Sequence, residues 1–113
     1  MIDDMEKTEA LIEKLRDALP LSAEIGARAL DALREESPEI EILPGCEITV
    51  VNYAGDEGGI VCTLDYVPGE AGNVRLVSIT HLNFDRAIPL SREIRAYQKH
   101  RIKRLRKLAG GPF

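Results

Sequence analysis

The chain reads as an α+β protein: a three-stranded antiparallel β-meander packed by two N-terminal helices and one basic C-terminal helix, in the order α-α-β-β-β-α. Three observations lead there. Apolar residues recur at helical spacing over residues 1–36, the period falls to two over residues 46–83, and helical spacing returns over residues 89–108 under an intense positive charge. A length of 113 residues suits a single domain (1–113) made of a helical hairpin, a meander and a basic amphipathic helix.

The first helix is written in "DDMEKTEALIEKLRDAL". Met5, Leu11, Ile12, Leu15 and Leu19 share one side, and acids crowd the first turn, where the helix dipole favours them. Pro20 ends it. Ser22 is placed to cap a second helix through about Arg34, buried by Ile25, Ala29, Leu30 and Leu33. Gly26 inside that helix costs up to about 1 kcal/mol relative to Ala, which predicts a close approach by another element. "ESPEIEILPG" is a linker between two prolines. Glu35, Glu36, Glu39 and Glu41 are expected in solvent, with Ile40 and Ile42 pointing inward.

"CEITVVNY", "GIVCTLDYV" and "NVRLVSITHL" alternate as strands, joined by the short loops "AGDEG" and "PGEAG", so antiparallel pairing is expected. The alternation is best served by setting Val50 opposite Cys62 and Ile48 opposite Leu64. Cys46 then lies about four residues along the strand from the point facing Cys62, too far for a disulfide, and two buried reduced thiols are expected. Ile60, Cys62, Leu64 and Tyr66 point one way while Val61 and Val67 point the other. A sheet with apolar residues on both faces needs either helices on both or a second molecule, and a homodimer is the expectation.

In the last helix, beginning around Pro89, Leu90, Ile94, Tyr97, Leu105 and Leu108 form one stripe with Ile102 on its shoulder. Arg101 falls within that stripe, its stem expected over apolar surface and its guanidinium at the edge. The charge is the most informative feature. Residues 92–107 carry eight cations and one anion, whereas residues 1–91 carry seven cations and eighteen anions, for a net charge of −4. Arg95, Lys99, Lys103 and Lys107 stand at steps of four, with Arg92 and Arg106 beside them. Like charges at that spacing destabilise a helix by about 0.2–0.5 kcal/mol per pair, so an anionic surface is expected to face the row. Glu9, Glu13 and Asp17 on the first helix offer an internal partner with too few carboxylates to neutralise the whole face.

These properties point to a small non-catalytic binding or assembly domain. Its basic helix contacts an acidic protein surface, with a second copy of the chain among the candidates. Nucleic acid, bound through the same six cations, is the alternative. Against it stand the acidic balance and an aromatic content of two Phe, three Tyr and no Trp, few rings for stacking on bases. No apolar run approaches the ~20 residues of a membrane helix and the start lacks a signal peptide, so a cytoplasmic protein without membrane contact is expected. The apolar stripe, needed for the core, argues the same way.

A catalytic reading centres on His81, Asp85 and Cys62, where a Cys–His pair would supply nucleophile and base. A strand-end His bonded to backbone or carboxylate is the commoner outcome. "YAGDEGGI" lacks the Lys-Ser/Thr and the following helix of a phosphate loop, no Cys/His spacing suits zinc, and no cofactor is expected. The order of elements is similar to that of double-stranded-RNA-binding domains, yet the Gly- and Lys-rich run of those domains is absent from "RAIPLSREI". It also resembles RNase toxins of the RelE type, which open with a strand and are basic throughout. No family is assigned.

Overall fold

The computed structural model describes residues 3–39, 41–65 and 74–108. Helix α1 spans Met5–Asp17, capped by Asp4, whose side chain accepts from the Lys7 amide. Strand β1 spans Leu21–Ile25, α2 spans Ala27–Glu36, and β2 spans Gly45–Tyr53. A single helical turn, α3 (Gly55–Gly58), joins β2 to β3 (Ile60–Asp65). Strand β4 (Val74–Ser78) runs through a 3₁₀ turn at Ile79–His81 into the two-residue β5 (Leu82–Asn83), and α4 closes the fold over Ser91–Leu108.

The α+β class holds, and the meander β2-β3-β4 exists within a larger sheet. Among the described residues that sheet has five antiparallel strands in the order β4-β3-β2-β1-β5. The expected helical hairpin over 1–36 is corrected: Ser22 caps nothing and lies in β1. "LSAEI" turns Ala23 and Ile25 inward and Ser22 and Glu24 outward, and pairs with Gly45–Ile48. Helix α2 starts one residue after Gly26. The close approach expected at Gly26 is real: its amide donates to His81 O at 2.8 Å, and a Cβ there would sit 2.9 Å from that oxygen.

The hairpin register is also corrected. Ile48 faces Leu64 as expected, but an irregularity between Ile48 and Val50 shifts the pairing, so Cys62 faces Val51 and Val50 faces Thr63. The extra residue keeps Val51 buried and turns Val50 outward. Cys46 faces Ala23 on β1, and both cysteines are free and buried.

Among the described residues, helices cover one face of the sheet. Leu11, Ile12 and Leu15 of α1, Leu30 and Leu33 of α2, and Ile94 and Tyr97 of α4 join Ile25, Ile48, Val51, Ile60, Cys62 and Leu64 in one core. The opposite face is open, with Leu76 68% exposed and Val50 44% exposed. Ile42 points inward as expected. Ile40, Tyr66 and Val67 lie outside the described residues.

Helix α4 departs from expectation in its second half. Its stripe is buried through Ile94, Tyr97 and Arg101, then emerges: Ile102, Leu105 and Leu108 are exposed. The stripe is therefore spent in the core only as far as Arg101, short of the full-length burial expected from the sequence. Among the described residues, no helix is long and apolar enough to cross a membrane.

Candidate functional site

Arg101 is not at an edge. It is 2% exposed, and its guanidinium donates to Asp3 Oδ2 at 3.1 Å and to Asp56 O at 2.8 Å. Asp3 Oδ2 also accepts from Tyr53 at 3.0 Å and Tyr97 at 2.8 Å, while Tyr97 Oη accepts from the Ile60 amide at 3.0 Å. This buried cluster ties the N-terminus, the α3 turn and α4 together, and it fixes the roll of α4 about its axis. Gln98 adds to this by donating to Ile79 O and Leu82 O, each at 2.8 Å.

That roll decides where the cations go. With Ile94, Tyr97 and Arg101 inward, Arg92, Arg95, Lys99, Lys103, Arg106 and Lys107 are all exposed. None of the six side chains forms an ion pair or hydrogen bond with another described residue. Ion pairs form instead between Lys14 and Glu93, Arg75 and Glu36, and Arg101 and Asp3. The internal neutralisation by Glu9, Glu13 and Asp17 does not occur. Helices α1 and α4 do meet, but through Lys14 of α1 and Glu93 of α4, the reverse of the expected polarity. That contact also removes the one carboxylate within the helix that could have relieved the row.

The row extends beyond the helix. Arg86, in the turn before α4, borders a cleft of about 440 Å³ with Ser91, Arg92, Arg95, Ala96 and Lys99. Sequence reasoning missed Arg86 because it precedes the helical periodicity. It also missed Asp3, though an arginine inside an apolar stripe was a signal that some carboxylate would be buried against it.

The open face of the sheet has the opposite sign. Ser22 faces Glu47, Glu47 faces Asp65, and Glu24 faces Asn83, all on the solvent side. Glu24, Glu47, Asp65 and Asp85 border a groove of about 730 Å³ on this face. Like charges directly opposite one another destabilise a sheet pair, as at Glu47 and Asp65. Among the described residues, no group of three or more His, Cys, Asp or Glu side chains is placed to hold a metal ion.

The catalytic candidates are not brought together by hydrogen bonds. Cys62 is fully buried in β3, and burial pushes its thiol up to about 12. His81 is exposed in the 3₁₀ turn, with its backbone oxygen engaged by Gly26. Asp85 is exposed and accepts from the Ala87 amide at 2.9 Å. Cys46 is likewise pushed up by burial, to about 11. Comparison with known proteins gives no counterpart: no family model, curated protein or solved structure matches the chain.

Proposed function

We propose that this protein is a non-catalytic binding module whose cationic helix α4 docks onto an acidic protein surface, and that a second copy of the chain supplies that surface. The observation that carries the reading is the row of six exposed cations without a carboxylate partner among the described residues. Charge complementarity supports this choice of partner. Among the described residues, the groove bordered by Glu24, Glu47, Asp65 and Asp85 has no cation on its rim, so each surface offers what the other lacks.

The two surfaces lie on opposite layers, α4 on the helical side and the groove on the open side of the sheet. A contact between them is head-to-tail and grows with concentration, which differs from the homodimer through the second sheet face expected from the sequence. The exposed Ile102, Leu105, Val50 and Leu76 add apolar area beside the charges. Sedimentation velocity at about 50 and 500 mM salt tests this, because exposed charge contacts weaken as the Debye length falls. The expected result is a sedimentation coefficient that rises with protein concentration at low salt and not at high salt. A monomer at every concentration together with tight duplex DNA binding at low salt moves the reading to nucleic acid. A monomer that also ignores DNA removes it.

A further inference from the structure

The cleft at the head of α4 has a chemistry of its own. Arg86, Arg92, Arg95 and Lys99 border one opening of about 440 Å³, alongside Ser91 and Ala96, and among the described residues no carboxylate lines it. The two acids nearest in sequence are engaged elsewhere. Asp85 bonds the Ala87 amide and borders the groove on the sheet, and Glu93 holds Lys14 through both oxygens at 3.0 and 2.9 Å. Four cations from two segments therefore converge without a counter-charge from the described residues. The start of an 18-residue helix lies at the same place and adds positive potential.

Three of the four cations are arginines, whose planar forks match phosphate oxygens in pairs. A carboxylate brings one negative charge, whereas a phosphate monoester at neutral pH brings nearly two on three acceptor oxygens. We infer that this cleft is a binding site for a phosphate dianion, carried either by a small phosphorylated molecule or by the 5′ end of a nucleic acid. The site does not rest on the docking reading. It recruits Arg86 and Ser91 from outside the row, and it leaves Lys103, Arg106 and Lys107 free for a partner.

The test is a ¹H–¹⁵N NMR titration of the full chain with pyrophosphate, and with one oligonucleotide carrying either a 5′-phosphate or a 5′-hydroxyl. Pyrophosphate should give saturable shifts centred on Arg86 and Ser91–Lys99. Arg86→Gln, Arg92→Gln and Arg95→Gln, all at exposed positions, should each weaken binding by about two- to tenfold. Arg28→Gln, at an exposed position on α2 outside the cleft, should leave it unchanged. The advantage of the 5′-phosphate over the 5′-hydroxyl oligonucleotide should be larger at about pH 7.5 than at about pH 5.5, because a phosphate monoester gains its second charge near pH 6. A 5′-phosphate that tightens oligonucleotide binding assigns the site to nucleic-acid ends; equal binding of the two oligonucleotides, with pyrophosphate still saturating, assigns it to small molecules. Non-saturating shifts spread evenly along α4 to Lys103 and Lys107, or an unchanged affinity in Arg86→Gln, overturn the inference while leaving the docking reading standing.

Discussion

Asp3 Oδ2 takes three donors at once, from Tyr53, Tyr97 and Arg101, while Oδ1 meets no donor among the described residues. Removing one partner of a buried ion pair strands the other, at about 3–5 kcal/mol, whereas removing both together costs much less. Arg101→Met should lower the urea midpoint by that equivalent, and Asp3→Leu combined with Arg101→Met should recover part of the loss; strictly additive losses would show that the pair is not coupled. Gly59 sits against the same cluster, with φ +64° and a Cβ position in contact with Tyr97 Oη and 2.7 Å from Arg101 Nε. Gly59→Ala should cost at least about 2 kcal/mol, from positive φ and from displacing the guanidinium. The thiols add a pH signature. Burial raises Cys46 from 9.0 to about 11 and Cys62 from 9.0 to about 12. A group raised on folding stabilises fully below its unfolded value, and that contribution is lost as pH climbs toward the folded value. Stability should hold to about pH 9 and decline from there toward about pH 11–12, and Cys46→Ala/Cys62→Ala should flatten the decline relative to its own neutral-pH value.

Helix α4 repels itself along its exposed side. Arg95, Lys99, Lys103 and Lys107 make three like-charged i,i+4 pairs, and Lys99→Glu would turn two of them into attractive pairs. That variant should be more stable than wild type by about 0.5–1 kcal/mol in urea unfolding while losing partner contact. Loss of stability instead would mean that Lys99 already has a favourable neighbour. The elements also show which parts of the fold can be read locally. The helix α4 periodicity, the β2–β3 hairpin and the close approach at Gly26 are written in adjacent residues. Strand β1 is not, because Ile25, Ala29, Leu30 and Leu33 also fit a helix and its partner, Gly45–Ile48, lies a full α2 away. The one-residue irregularity near Val50 and the burial of Arg101 against Asp3, 98 residues earlier, depend on tertiary contacts that no local pattern displays. The six cations of the site were legible as a periodic row. Arg86 and the acidic groove were not, since each depends on how separate segments come together.

The whole molecule is polarised across its layers, with a net charge of −4 that conceals a cationic helix on one side and a carboxylate-lined groove on the other. Such a distribution steers association of oppositely charged faces and makes it sensitive to ionic strength. The decisive measurement is therefore a mixing experiment by sedimentation velocity at low salt. One variant carries Arg95→Glu, Lys99→Glu and Lys103→Glu; the other carries Glu24→Lys, Glu47→Lys and Asp65→Lys. Each alone should be monomeric, since one of its two surfaces repels the other. Mixed, the intact α4 of the second meets the intact groove of the first and the reversed helix meets the reversed groove, so concentration-dependent association should return. Two folded variants that remain monomeric in the mixture, beside a wild type that is monomeric at the same concentration, would contradict docking of α4 onto a second copy.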